Sequence, residues 1–249
     1  SNPARFAQIA LMLCLVTALV LQALGAALDK SATWDEPGHL TRGAWILAAG
    51  DYGLEFLHPP LAQTLAAALV RLVHAPQVPD DLSQRPNITA AGHAFVWMAN
   101  PNGHQLIFTA RLTTMFLSVV GAILVCLWAT ELYGWGAGGL ALFLYCFCPN
   151  IIAHSAVITT DLSCTVFSLA ACYAYWRFSQ RRSCGRLLAL GAALGLALAS
   201  KYSALFLLPA LAAAEVLRIL SVRPLTWSSC WPSSLPPCSL CTSTACCAG

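Results

Sequence analysis

FAQIALMLCLVTALVLQALGAAL, residues 6–28, carries no charge, and its only strongly polar side chains are Gln8, Thr17 and Gln22. A surface helix of a soluble protein alternates an apolar stripe with a charged face; this run is apolar all round. A bilayer core about 30 Å thick needs roughly 20 such residues of helix, so 6–28 reads as a membrane-crossing helix. It is longer than the roughly 7–15-residue core of a signal peptide, and the reading is a retained span, not a cleaved leader. Working outward, 106–128, 137–154, 161–178, 187–200 and 203–220 repeat the pattern. The fold class expected is therefore all-α: a polytopic membrane helical bundle of about six spans.

Composition agrees. Of 249 residues, 58% are hydrophobic and 9% charged, where a soluble domain has about 25% charged. Mean hydropathy is +0.69. These values exclude a disordered chain and an ordinary soluble enzyme. A net charge of +3, from 13 Lys/Arg against 10 Asp/Glu, is too small and scattered for a nucleic-acid partner.

The polar residues are concentrated. Of the ten acids, Asp29, Asp35, Glu36, Asp51, Glu55, Asp80 and Asp81 lie between 29 and 81. Five of the six histidines (His39, His58, His74, His93, His104) lie between 39 and 104. One hydrophilic segment, 29–105, thus interrupts the bundle after its first span. Within it, 36–50 and 59–73 carry helix-forming, largely apolar sequence too short to cross a bilayer. Pro59 and Pro60 suit a helix start and Gly50 a helix end, so both read as interfacial helices. The basic residues Arg5, Arg177, Arg181, Arg182, Arg186, Arg218 and Arg223 fall on one side and mark it as cytoplasmic. Segment 29–105, Asp161 and Lys201 then face outward. The localisation expected is multi-pass and integral, in a bacterial inner (plasma) membrane, with the site on the external, periplasmic side.

Four motifs meet on that face. Trp34-Asp35-Glu36-Pro37-Gly38-His39 follows the first span directly. Gly50-Asp51 and His58-Pro59-Pro60-Leu61 follow it. Thr160-Asp161 opens the fourth span, and Ala199-Ser200-Lys201-Tyr202 interrupts the run 187–220, which is too long for one crossing. Arg111, near the start of the second span, lies at the same leaflet. A charge within a span is costly and marks a functional site by default, although Arg111 and Lys201 could also snorkel to the interface. Two acidic positions and two cations around one interfacial pocket suit an anionic lipid headgroup and a neutral acceptor that must lose a proton.

Taken together, residues 34–61 and 154–202 resemble the GT-C membrane glycosyltransferases, and within them glycosyltransferase family 39, the protein O-mannosyltransferase and aminoarabinose-transferase type. The resemblance covers 1 to about 220. It implies sugar transfer from a polyprenyl-phosphate donor to a protein or glycolipid acceptor, on the external side, with inversion at the anomeric carbon. In such a reaction a carboxylate takes the proton of the attacking hydroxyl. Asp35 is the expected base, with Glu36 as the alternative, because neighbouring helical residues point about 100° apart and only one can face the pocket. The departing lipid phosphate gathers charge, which a cation stabilises in the transition state; Lys201 and Arg111 are the candidates. His39, Asp51, His58 and Tyr202 complete the expected substrate-binding set. Asp161 either positions a sugar or joins Asp35 around a divalent metal, and the resemblance leaves that choice open.

Other readings weigh less. A transporter or lipid flippase gathers its charges near the bilayer midplane, not at one interface. A non-catalytic fragment is suggested by residues 221–249, whose Ser/Cys/Pro-rich, nearly chargeless sequence departs from the family and reads as disordered or out of frame. Cys238, Cys241, Cys246 and Cys247 make only a weak zinc pattern without a matching His. Gly134–Gly139 is no dinucleotide loop, since no strand precedes it, and Gly191-Ala-Ala-Leu-Gly195 reads as helix packing.

Overall fold

The computed structural model describes residues 3–222. The chain divides at Leu211/Ala212 into two compact units. Of the second, only the end of the last helix is described, where Arg218 and Glu215 pair at 2.7 Å across one turn. The Ser/Cys/Pro-rich tail and its cysteines lie outside the described residues.

The described residues form helices and no strand: α1 (Pro3–Asp29), α2 (Glu36–Ala49), α3 (Leu61–His74), α4 (Ile88–His93), α5 (Gly103–Tyr133), α6 (Trp135–Cys146), α7 (Pro149–Ser155), α8 (Thr160–Gln180), α9 (Cys184–Ser200) and α10 (Leu207–Val222), the last preceded by a 3-10 turn over Tyr202–Phe206. Arg5–Asp29, Gly103–Tyr133 and Tyr202–Leu220 are long and apolar enough to cross a membrane. The stretch expected as one span at 137–154 is two helices, α6 and α7, bent by 60° at their junction. Pro149 lies at the first turn of α7; lacking an N–H, it cannot continue the hydrogen-bond ladder of α6. Helix α8 has 21 residues and is more polar, while α9 has 17. On α1 the side chains of Ile9, Leu13, Leu21 and Leu28 point outward, an apolar surface that suits lipid and not water. This is an all-α membrane helical bundle.

The polar segment is ordered by its own core. Helix α2 packs on α3 and α4, and α3 on α5, burying Leu40, Trp45, Val70, Phe95 and Leu106 among others. Pro37 occupies the first turn of α2, and Gly50 ends it in the left-handed conformation (φ 67°), its N–H on the carbonyl of Ile46. Pro60 precedes α3 as its N-cap. These are the two helices that the spacing of 36–50 and 59–73 predicts.

Where α2 crosses α3, Gly43 leaves no room for a side chain: a β-carbon there would overlap the Gln63 carbonyl and the Ala67 methyl. Main chain cannot yield as a flexible side chain does. Gly43→Ala is therefore expected to destabilise the protein by about 1–3 kcal/mol, read as a lower midpoint of thermal unfolding in detergent. An unchanged midpoint would show that the α2–α3 contact is not tight.

Candidate active site

Asp35 and Glu36 are neighbours with opposite surroundings. Asp35 is the N-cap of α2, makes no side-chain capping bond and is exposed. Its carboxylate has no hydrogen bond or ion pair among the described residues. Glu36 is fully buried. Its Oε1 accepts from Arg111 Nε (2.8 Å) and the Ile158 amide (2.9 Å), and its Oε2 from Arg111 Nη2 (2.7 Å) and the Thr33 amide (2.8 Å). Burial pushes this carboxyl up, but the hydrogen bonds from Arg111, Thr33 and Ile158 more than reverse that and hold it below the ordinary carboxylate value. Glu36 is thus ionised with both oxygens occupied, and no lone pair faces a substrate.

Arg111, 2% exposed, is equally committed. A guanidinium has five N–H donors. Two go to Glu36; the others reach the carbonyls of Ala27 (2.7 Å), Lys30 (3.0 Å) and Ser31 (2.9 Å). These carbonyls belong to the end of α1 and the residues after it, where a helix leaves acceptors unpaired. The pair therefore ties the exit of α1, the start of α2, α5 and the turn before α8 into one point.

Lys201 is different. It follows α9 in extended conformation (φ −157°), which ends the helix and turns its ammonium to Asp161 Oδ1 at 2.5 Å. Asp161 stands in the first turn of α8. An ammonium has three donors, and this is the single hydrogen bond of Lys201 Nζ among the described residues. The side chains are 29% and 51% exposed, and the other two donors of the ammonium have no partner among the described residues. Tyr202, beside it, is 61% exposed and lies within electrostatic reach of Arg42.

The histidines join the two acidic positions. His39 and His58 face each other with ring centres 5.8 Å apart. His39 is within electrostatic reach of Asp35, and His58 of Asp161. Gln63 Oε1 accepts from Arg42 Nη1 at 2.5 Å, which leaves the amide nitrogen of Gln63 to donate to His39 Nδ1 at 2.9 Å. The network thus assigns the His39 proton to Nε2 and keeps the ring neutral. Burial, with the neighbouring His58, also lowers its pKa. Arg42 further donates to the His58 carbonyl at 2.5 Å, fixing the loop between α2 and α3.

Asp51 builds a turn. Its carboxylate accepts from the Gly53 amide (2.7 Å) and the Trp45 indole (3.1 Å); these two bonds, the Gly53 amide first, lower its pKa. Glu55, which sequence reasoning passed over as a candidate, lines a cleft of about 40 Å³ with Trp34, Asp35, Gly38, His39, Ile88 and Thr89. The signal was available: Glu55 lies between the Gly-Asp and His-Pro-Pro motifs. His154 was also missed and lies within electrostatic reach of Asp161.

No three His, Cys, Asp or Glu side chains converge as metal ligands among the described residues, and the Asp161 carboxylate already holds an ammonium.

Comparison with known proteins places this geometry in context. The family model described as dolichyl-phosphate-mannose-protein mannosyltransferase matches residues 95–236, a range that includes Arg111, Asp161, Lys201 and Tyr202. A lipid A galacturonosyltransferase, RgtD, of Rhizobium johnstonii (strain DSM 114642 / LMG 32736 / 3841) is 30% identical over 112 residues, which is 45% of this chain and 24% of that protein. The chain thus matches about a quarter of the length of this curated relative. No solved structure matches.

Proposed function

The chain belongs to the dolichyl-phosphate-mannose-protein mannosyltransferase family, and from that premise we propose that it takes part in glycosyl transfer from a polyprenyl-phosphate sugar to an acceptor hydroxyl at the external membrane face, with Asp35 as base and Lys201 at the phosphate. The acceptor is a protein, as the family's description names, or a glycolipid, as the relative's name indicates. The acceptor oxygen attacks the anomeric carbon from the side opposite the lipid phosphate, so the new C–O bond forms as the old one breaks and configuration inverts. The hydroxyl proton passes to the Asp35 carboxylate, and the bonding pair leaves on the phosphate oxygen.

What carries this reading is the division of labour between the four charges. Glu36 and Arg111 have every oxygen and every donor engaged with each other and with main chain. Among the described residues the Asp35 carboxylate has no hydrogen bond or ion pair, and Lys201 uses one of its three donors. Of the two cations expected at the phosphate, Lys201 has capacity to bind it and Arg111 has none. Asp161 orients that ammonium, so its role is positioning through Lys201. His39, within electrostatic reach of Asp35, and His58, within reach of Asp161, would contact the sugar, His39 as a neutral Nε2–H donor.

The test is donor use by Lys201→Gln and Lys201→Arg in the full-length protein with a polyprenyl-phosphate sugar. Loss of a hydrogen bond to a charged group is worth about 1.5–3 kcal/mol, so Lys201→Gln is expected to lower kcat/KM for the donor by roughly 10–150-fold. Lys201→Arg is expected to retain much of it. Unchanged donor kinetics in Lys201→Gln would remove this residue from the phosphate site.

A further inference from the structure

At the ends of α8 and α9 remote from Asp161 lies a second basic site. Arg177 follows Asp161 by 16 residues on α8 (177 − 161), about 24 Å of helix and most of a bilayer core of about 30 Å. Between the two helices Tyr173, Ala174, Arg177, Arg186 and Ala189 line an open cleft of about 240 Å³. That is about eight waters at roughly 30 Å³ each, room for a phosphodiester. We propose that it binds the headgroup of an anionic phospholipid, in the leaflet opposite the one served by Lys201.

Four arginines gather here: Arg177 and Arg186 line the pocket, and Arg181 and Arg182 lie in the turn joining the helices. Glu131 of α5 pairs with Arg177 at 2.7 Å. Arg186 is fixed differently. Its Nη1 donates to the carbonyls of Arg177 (2.6 Å) and Arg181 (3.3 Å), so main chain holds the fork in place without neutralising it. Its Nε and Nη2 have no partner among the described residues. A rigid guanidinium with two unpartnered nitrogens, which carry three N–H donors, matches a phosphodiester oxygen pair.

The surroundings favour a lipid over free phosphate. Leu187 and Leu188, 54% and 73% exposed, flank Arg186 and give acyl chains an apolar surface. Tyr173 stacks on Trp176 and both contact Trp128, with ring centres 5.9–6.4 Å apart. Such amphipathic rings settle at headgroup depth. Basic pockets between spans on the cytoplasmic side take anionic headgroups on the same grounds.

The experiment adds phosphatidylglycerol, phosphatidylcholine or inorganic phosphate to the protein purified in detergent, and measures retained lipid by native mass spectrometry together with the thermal midpoint. Phosphatidylglycerol is expected to be retained and to raise the midpoint, with phosphatidylcholine and inorganic phosphate without effect. Arg186→Gln should weaken retention about tenfold or more, the loss of one charge-assisted hydrogen bond. Ala189→Phe fills the pocket without changing charge and should abolish retention. Equal retention of the two lipids, or an equal effect of inorganic phosphate, overturns the proposal. So does undiminished phosphatidylglycerol binding in Ala189→Phe, since it would trace the effect to surface charge alone. If Arg186→Gln fails to fold, Ala189→Phe and the comparison of additives on the unaltered protein decide the matter.

Discussion

Asp35→Asn is expected to lower kcat by about 10²–10⁴-fold, the usual contribution of a positioned general base, and to leave the thermal midpoint unchanged. The second half of that expectation follows from geometry. The Asp35 carboxylate makes no capping bond to α2, so an isosteric amide takes nothing from the fold. The amide cannot accept the hydroxyl proton, and the loss is expected on turnover, with donor KM nearly constant because the proposed phosphate site is at Lys201, not Asp35. Steady-state kinetics in the full-length protein separate the two parameters. If Asp35→Asn retains parental kcat, the base lies elsewhere; Glu55, in the same cleft, is the next carboxylate to replace.

Much of this was legible in the sequence because membranes impose simple rules. An apolar run of bilayer length has to be helix, and a charge inside one needs a reason. Lys201 stood out on those grounds alone, as the break in an overlong run. Gly50 and Pro60 marked the ends of α2 and α3 by their own backbone preferences. The identity of partners was not legible. Asp35 and Glu36 are adjacent acids that look alike in a sequence, and Glu36 is set apart by Arg111 and Ile158, 75 and 122 positions away. Likewise, Arg111 and Lys201 were equivalent as cations. What separates them is how many donors the fold has already engaged, which no local pattern encodes. His154 was overlooked for the same reason, because it reaches Asp161 only through tertiary placement; Glu55, between two of the motifs, was there to be read.

Arg111→Met is expected to be the most destabilising of these replacements, at about 3–5 kcal/mol, since removing one partner leaves the other charge buried and unpaired. Glu36 would keep only the amides of Thr33 and Ile158, while burial continues to disfavour its ionised form. The pH dependence should distinguish this cause from lost packing. In the parent protein the Glu36 pKa is lowered from 4.5, so the folded state binds fewer protons there than the unfolded chain. The stability contributed by that group is complete above 4.5 and is lost as pH falls through the lower folded value. In Arg111→Met the main opposing interaction is gone and burial raises the pKa instead. The variant should therefore close part of its gap to the parent on acidification, as Glu36 takes up a proton and ceases to be a buried charge. Thermal midpoints across a pH series in detergent would show the two curves converging. Parallel curves would mean that the deficit comes from the carbonyls of Ala27, Lys30 and Ser31, orphaned when their donor is removed. The double variant Glu36→Gln, Arg111→Met completes the cycle: a deficit smaller than the sum of the two single ones measures the coupling directly. The coupling matters for transfer because Asp35 immediately precedes Glu36 and Asp161 follows Ile158 by three residues. Loosening that one buried point frees Asp35, the proposed base, and Asp161 to move apart, so residual folded Arg111→Met should also show a lower kcat than the parent at equal folded concentration.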